Sequence, residues 1–297
     1  MIEGILVEGL IYSIMVLGVF ITFRILDFPD LTVDGSFPLG AVIGAQVIIS
    51  GMPVSLGLLA AFTGGGIAGG ITAVIHNKLK VPNLLAGILT MTMLYSVNIR
   101  ILGNRANVPL LHNKTVITGI HSISEGLMKT EYATLIFFII FVYIIKKLLD
   151  LFFHTDLGLT LGAMGNNEQM IISQGVNPEI LKIIGLALSN GLVALSGALA
   201  AQYLGFADVS MGIGIIVSGL ASVMIGEFIF KSNKIAVLTL SAVIGSIIFK
   251  GIMYFARIYG YAVRMTPNDL KLITGLMIIV LLILSKTKIF KRKKGLE

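Results

Sequence analysis

Long apolar runs separated by short polar stretches dominate this sequence. A helix that crosses a bilayer needs about 20 predominantly apolar residues, and several runs approach that length. The predicted spans are Gly4–Phe23, Pro38–Ser50, Val54–Ile75, Leu84–Gly103, Glu131–Leu149, Ile180–Leu204, Gly212–Phe230, Ile235–Ala256 and Leu270–Ser285. Residues 24–50 can be divided in more than one way. We therefore expect an all-α, polytopic membrane helix bundle of about eight to ten transmembrane helices, forming one domain over residues 1–297.

One polar stretch between two spans, Leu157–Asn177, is patterned as a short helix. Adjacent asparagines suit its N-cap, an acid and an amide fill its first turn, an apolar patch continues it and a glycine ends it. The residues that carry this pattern are Gly165, Asn166, Asn167, Glu168, Gln169, Met170, Ile171 and Gly175. The sequence Asn177-Pro178-Glu179 then predicts the capped start of the next span. We interpret the stretch as a docking element through which a soluble partner moves the membrane core.

Composition supports a membrane protein and argues against several kinds of functional site and partner. Charged residues make up 12% of the chain and hydrophobic residues 56%, whereas soluble domains carry about 25% charged residues. The chain has no cysteine, which excludes a disulfide framework, a thiolate metal site and a cysteine nucleophile. We expect no metal and no nucleic-acid partner, since the net charge of +7 falls in short loops and a basic tail, 286–297.

Lys and Arg residues predict the orientation of the chain. With the C-terminus in the cytoplasm and nine spans, 14 of the 22 basic residues lie inside, as the positive-inside rule requires. This orientation places Leu157–Asn177 in the cytoplasm. The N-terminal MIEGILVEG has no basic region before its apolar run, so we expect the first span to be retained.

Glycines spaced four residues apart mark a close-packing face in the third span. Gly65 with Gly69, and Gly66 with Gly70, would let another helix backbone approach closely. The face is either a seam at a subunit interface or gate, or ordinary helix packing within one chain.

Polar side chains within or beside the spans are candidates for a translocation path, because such groups are costly in lipid. The candidates are Asp27, Asp30, Asp34, Gln46, Asn98 and Asn190. The three aspartates have two interpretations: a broken helix that lines the path, or a solvated cytoplasmic turn at Pro29. We expect Lys250 to snorkel to the surface and Glu227 to pair with Lys231.

The sequence carries none of three common nucleotide-binding or catalytic motifs. There is no P-loop, no H-E-x-x-H and no G-x-S-x-G. No two carboxylates lie deep in the spans at helical spacing, which disfavours a proton relay. We expect a chain that is not catalytic and that binds no cofactor of its own.

Three segments of the second half carry a family pattern: GLTLGAMGNNEQMIISQGVNP, NGLVALSGALAAQYLG and GIGIIVSGLASVMIGE. Together they resemble the permease subunits of ABC importers in the branched-chain amino-acid and ribose class. The segment RILDFPDLTVDGSFPLGA resembles the one that follows the first span in the tryptophan/tyrosine-type subgroup. The family often has a basic residue immediately before Ala-x-Gly, and here that position is Gly162.

The resemblance implies that transport is shared among several different subunits. Two permease chains, as a homodimer, would form the path in a bacterial cell membrane, and cytosolic ATPase subunits would bind ATP and dock on the short coupling helices. A separate extracellular or periplasmic solute-binding protein would deliver a small solute. The subgroup suggests an amino acid, in particular an aromatic one, and sugars and nucleosides stay open. Two other functions stay open: an ion-coupled secondary transporter or channel working without an ATPase, and a membrane-embedded enzyme.

Overall fold

The computed structural model describes residues 2–111, 113–124, 129–230, 232, 234–262, 272–280 and 283. The expected all-α polytopic bundle is confirmed. The helices are α1 (Ile2–Phe20, continued by a π-helical turn, Ile21–Ile25), α2 (Val33–Ile49), α3 (Val54–Leu79), α4 (Asn83–Ile101), α5 (Val116–Ser124), α6 (Thr130–Phe153), α7 (Asp156–Asn166), α8 (Glu168–Ser173), α9 (Pro178–Leu204), α10 (Ile215–Ile229) and α11 (Ile235–Ala262). Two short strands, β1 (Asn107–Pro109) and β2 (Phe206–Asp208), pair antiparallel, and a 3-10 turn, Val209–Gly212, precedes α10.

Among the described residues, six helices are long and apolar enough to cross a membrane. They are Ile2–Ile25, Val54–Leu79, Asn83–Ile101, Pro178–Leu204, Val209–Ile229 and Ile235–Gly260. The shorter α2 is also apolar, and the 24-residue α6 carries Lys146, Lys147 and Asp150 near its end. The predicted span Leu270–Ser285 lies partly outside the described residues, of which 272–280 are helical.

The start of the second span differs from the prediction. The second span begins at Val33 instead of Pro38, so the proline lies inside α2. A membrane bundle tolerates this because neighbouring groups re-satisfy the backbone that proline leaves unpaired. The polar stretch Asn104–Thr130, between two predicted spans, contains β1 and α5.

Helix α9 lies at the centre of the bundle and packs against α1, α2 and α3. Its membrane-length window and that of α1 are each 72% buried, compared with 33% for α3 and 28% for α4. Small residues make this possible: a Cβ on Gly197 of α9 would lie 1.9 Å from the carbonyl oxygen of Phe37 in α2. The core therefore forms around α9, with α3 and α4 at the periphery.

The glycine face of α3 packs within the chain. A Cβ on Gly65 would lie 2.3 Å from the Asn190 carbonyl oxygen, and one on Gly69 would lie 2.1 Å from that of Leu186, both in α9. A Cβ on Gly70 would meet nothing within 4 Å. Of the two interpretations, the structure shows the packing of two helices of one subunit.

Side-chain bonds fix the relative depths of the central helices. The hydroxyl of Ser189 in α9 donates to the carbonyl of Gly18 in α1, and that of Ser196 donates to the carbonyl of Ile11. These pairs run in opposite chain directions, so α1 and α9 are antiparallel. We name the end that carries α7 and α8 the α8 end; β1 and β2 lie at the opposite end.

Candidate functional site

The predicted docking stretch, Leu157–Asn177, contains most of α7 and all of α8 and is capped as its sequence predicts. The side chain of Asn167 accepts a hydrogen bond from the backbone N–H of Met170 (3.2 Å), and that of Asn177 accepts one from Glu179 (2.9 Å) with Pro178 in the first turn of α9. Both predicted caps are confirmed. Asn166 instead ends α7.

Helix α8 has one buried anchor and an exposed surface. Ile171 is 1% exposed and joins the main apolar core. Its neighbours Met170 and Ile172 are 49% and 48% exposed. The remaining predicted coupling residues that are exposed are Asn166, Asn167, Glu168, Gln169 and Gly175. A six-residue helix thus presents two apolar side chains outward while a third holds it to the bundle.

Gly165 allows α7 to touch the end of α1. A Cβ at this position would lie 1.9 Å from the carbonyl oxygen of Ile25, in the π-helical turn. Gly175 has φ +78°, a left-handed conformation that glycine adopts without strain. One glycine therefore sets a backbone contact and the other lets the chain turn after α8.

A line of polar and aromatic contacts connects α8 to the centre of the bundle. Glu168 pairs with Lys182 of α9 (2.9 Å), whose ammonium lies 3.5 Å from Nε2 of His76 in α3. The His76 ring meets Phe28 edge-on, with centroids 5.3 Å apart. Phe28 belongs to the segment 26–32 between α1 and α2, so α8 is linked to that segment through two membrane helices.

The same segment carries a buried carboxylate. Asp30 is 1% exposed and accepts hydrogen bonds from the backbone N–H of Thr32 (2.9 Å) and from Nδ2 of Asn190 (2.7 Å). The hydroxyl of Ser36 in turn donates to Oδ1 of Asn190 (2.7 Å). By contrast, Asp27 is exposed, with φ +51°. The solvated-turn interpretation therefore fits Asp27 and does not fit Asp30.

Asp30 lies deep in the bundle. Its partner Asn190 lies about 18 Å along α9 from Pro178, at 1.5 Å per residue, close to the midpoint of that 27-residue helix. Within the described part of the chain, only neutral groups bond to the Asp30 carboxylate. Non-helical backbone at this depth is tolerated because protein surrounds it.

Asp34 holds the start of another helix. Its carboxylate accepts from the backbone N–H groups of Gly214 (3.0 Å) and Ile216 (2.8 Å). A negative charge at the N-terminus of α10 is favourable because the helix dipole is positive there. The solvated-turn interpretation therefore does not fit Asp34 either. Its hydrogen bonds connect α2 to α10.

The remaining predicted path residues divide between the core and the surface. Asn98 is 1% exposed and donates to the Gly35 carbonyl (3.3 Å), while its Oδ1 has no hydrogen-bond partner among the described residues. Gln46 is exposed. The structure brings Asp30, Asn190 and Ser36 together, and Asn98 of α4 bonds to Gly35, the neighbour of Ser36 in α2. Gln46 lies apart from this group.

Several residues of these contacts were not singled out in the sequence. Thr32 bonds to Thr72 of α3 (2.8 Å), and Lys182 and His76 carry the connection to α8. Glu227 pairs with Arg24 (2.8 Å); Lys231, the expected partner, lies outside the described residues. The sequence feature that could have indicated the contact of α2 with α9 is the spacing of small residues: Ser36 and Gly40 lie one helical turn apart on the face of α2 that meets α9. Among the described residues, no group of three or more His, Asp or Glu could hold a metal.

Comparisons with known proteins cover almost the whole chain. Residues 1–282 match the family model described as branched-chain amino acid transport system / permease component. A tyrosine transport system permease protein of Clostridioides difficile (strain R20291) is 44% identical, over 98% of this chain and 93% of its own length. An uncharacterized protein of Rickettsia prowazekii (strain Madrid E) is 35% identical, over 92% of this chain and 93% of its own.

A solved structure shares the fold. The metal-chelate type ABC transporter in an inward-facing conformation superposes with a TM-score of 0.52, covering 97% of this chain and 85% of that chain. At 17% identity, the likeness concerns architecture alone.

Proposed function

We propose, for a chain that belongs to the family of branched-chain amino acid transport system permeases, that the transported solute is an aromatic amino acid such as tyrosine. The chain is a multi-pass membrane permease of an ABC importer. The observation that carries the choice of solute is the 44% identity to a tyrosine transport system permease over nearly the full length of both chains.

The energy for transport, in this proposal, comes from a separate cytosolic ATPase that docks on α8. The sequence contains no P-loop, which supports the proposal that ATP is bound by the partner and that the chain itself is not catalytic. Met170 and Ile172 offer the partner two exposed apolar side chains, and a short helix in a groove is a common recognition mode. The α8 end and the C-terminus would face the cytoplasm. A second copy of the chain and a solute-binding protein would complete the importer.

The contacts of α8 support a mechanical role. Ile171 fixes α8 to the core, and the Glu168–Lys182 pair ties it to the first turns of α9. A push on α8 would therefore tilt α9, and it would reach segment 26–32 through His76 and Phe28. Movement of packed helices against one another in this way is an established route to alternating access.

The Asp30–Asn190 pair, which we call the latch, would hold the path closed in this conformation. Both side chains are almost completely buried and bond to each other, so no solute touches them in this conformation. Tilting α9 would separate Asn190 from Asp30 and expose two polar groups near mid-depth. In this proposal, the predicted path residues Asp30 and Asn190 line the conduit only when it is open, whereas Asn98 and Asp34 hold the neighbouring helices.

The test is reconstitution of the permease with its cognate ATPase and binding protein in vesicles. The double variant Met170→Ser/Ile172→Ser shortens two side chains that are 49% and 48% exposed and leaves the buried Ile171 in place, so it should insert normally. We expect it to lose ATPase capture and tyrosine uptake by about tenfold or more, since two apolar anchors of an interface are removed. Leu111→Ser is the matched control, because Leu111 is 78% exposed at the opposite end, and it should behave as the unmodified chain.

Three outcomes would contradict the proposal. Unchanged ATPase capture in the double variant would remove the docking role of α8. Uptake driven by an ion gradient without the ATPase would make the chain a secondary transporter. Failure of the complete importer to accumulate tyrosine, phenylalanine or tryptophan would remove the proposed solute class.

A further inference from the structure

A cavity between α1, α10, α11 and the helical segment 272–280 contains charged groups that take no part in the contacts of α8 or in the Asp30–Asn190 pair. Its volume is about 200 Å³, smaller than the clefts of roughly 300–1,000 Å³ that hold drug-sized ligands. It therefore suits a molecule of amino-acid size. Its charged lining residues are Glu8 of α1 with Lys250 and Arg257 of α11, and its aromatic ones are Tyr12, Phe249 and Tyr254.

The ammonium of Lys250 is held by other side chains of the bundle and does not extend to the surface, contrary to the prediction. Its side chain is 16% exposed and pairs with Oε1 of Glu8 at 2.7 Å. The ammonium also lies 3.2 Å from the centroid of the Tyr12 ring, a cation–π arrangement. Glu8 lies about 9 Å along α1 from Ile2, at 1.5 Å per residue, so the pair is inside the bundle. Charged groups within membrane helices are costly and generally functional.

Arg257 gives the cavity an excess positive charge. The charges of Glu8 and Lys250 compensate each other, whereas Arg257 has no hydrogen-bond or ion-pair partner in the part of the chain that the structure describes. A guanidinium binds a carboxylate through two parallel hydrogen bonds. Arg257 is exposed, and with the Glu8–Lys250 pair the charged lining residues carry a net charge of +1, which favours a ligand that has a carboxylate.

We propose that this cavity is a binding site for the zwitterionic form of an aromatic amino acid, a site that rests on the proposed function and deepens it. Arg257 binds the α-carboxylate. The second oxygen of Glu8 accepts a hydrogen bond from the α-ammonium, beside the position that Lys250 already occupies. The aromatic ring packs among Phe249, Tyr254 and Tyr12, where offset and edge-on ring contacts are favourable.

The location suits transfer of solute into the permease. The cavity lies towards the end of the bundle opposite α8, which the proposed orientation places outside. It also borders Gly214, the residue whose backbone N–H donates to Asp34 at the start of α10. A ligand in the cavity would therefore sit against the junction of α2 and α10, next to the segment that leads to Asp30.

The test measures saturable binding of radiolabelled L-tyrosine to the purified full-length chain in nanodiscs, without ATPase or binding protein. We expect binding in the millimolar range or tighter. Tyramine, which lacks the carboxylate, and 4-hydroxyphenylpropionate, which lacks the ammonium, should each compete about tenfold or more weakly, because each leaves one charged partner unpaired.

Arg257→Gln is the decisive variant, because Arg257 has no hydrogen-bond or ion-pair partner to lose among the described residues. It should weaken tyrosine binding about ten- to a hundredfold, whereas Arg105→Gln, at an exposed arginine outside the cavity, should not. In Glu8→Gln, which also unpairs Lys250, the preference for tyrosine over 4-hydroxyphenylpropionate should shrink. A purely structural ion pair would leave that preference unchanged.

The outcomes separate this inference from the proposed function. If the complete importer accumulates tyrosine but the purified chain shows no saturable binding at millimolar concentration, the site is wrong and the proposed function stands. Equal binding by Arg257→Gln and Arg105→Gln would also overturn the site. If the importer accumulates no aromatic amino acid and the purified chain saturates with leucine or ribose in place of tyrosine, both are wrong.

Discussion

Asp30 is a buried carboxylate whose described partners are all neutral, and its neighbours explain how the fold accommodates it. One oxygen accepts from the Thr32 backbone and the other from Asn190, which is itself oriented by the Ser36 hydroxyl. Buried polar groups are tolerated when such a network satisfies them. The sequence identified Asp30 and Asn190 separately as polar residues. It could not pair them, because the depth of one helix against another depends on backbone contacts that the apolar pattern does not specify.

Exchanging the two members of this pair tests the network. Asn190→Asp alone places two carboxylates in contact and should lower the free energy of unfolding by about 3 kcal/mol, the upper part of the range for an unsatisfied buried group. The exchange Asp30→Asn/Asn190→Asp restores one donor and one acceptor, and Ser36 can still donate. We expect it to recover about half or more of the loss in thermal unfolding of the detergent-solubilised chain. Equal loss in the single and double variants would show that the pair is not coupled.

Helix packing at the α3–α9 contact depends on individual glycines. Gly69 meets the backbone of Leu186, while Gly70, the next residue, faces open space. The sequence predicted a close-packing face but could not say whether the partner helix belonged to the same chain, because small residues serve both purposes. Two other features were also not predictable from the local pattern. The internal Pro38 suggested a later start for α2, and no local pattern indicated β1 and β2. That pairing joins Asn107 to Asp208, and short strands so distant in sequence leave no local pattern.

Gly69→Ala and Gly70→Ala form a matched pair that isolates this contact. A methyl group at Gly69 would force α3 away from α9, and overpacking of this kind costs about 1–3 kcal/mol. The same change at Gly70 meets no atom and replaces a flexible residue in a helix, which favours folding by up to about 1 kcal/mol. The apparent melting temperature should therefore fall for the first variant and stay equal or rise for the second. A rise of the same size in both would mean that the glycines act through helix propensity alone, and a fall of the same size in both would contradict the prediction, because Gly70 meets no atom of α9.

At the scale of the whole molecule, the two ends of the bundle differ in chemistry. The α8 end carries linked ion pairs, including Glu179 with Lys78 and Lys80, and Glu168 with Lys182. The opposite end carries the β1–β2 pair and the cavity beside Arg257. Local chemistry was enough to predict the caps at Asn167 and Asn177, because each involves residues two or three apart. The contacts that connect α8 to Asp30 join helices far apart in sequence, and only the fold reveals them.

The orientation of these ends decides whether a cytosolic ATPase can reach α8, and the absence of cysteine allows a direct measurement. Single cysteines at Ser173, exposed on α8, and at Leu111, exposed at the opposite end, would be treated with a membrane-impermeant maleimide. Because basic residues are retained in the cytoplasm, Leu111→Cys should react in intact cells and Ser173→Cys only after permeabilisation. Reaction of both after permeabilisation is the control for accessibility. Labelling of Ser173→Cys in intact cells would place α8 outside, where no ATP-driven partner could move α9 or release Asn190 from Asp30.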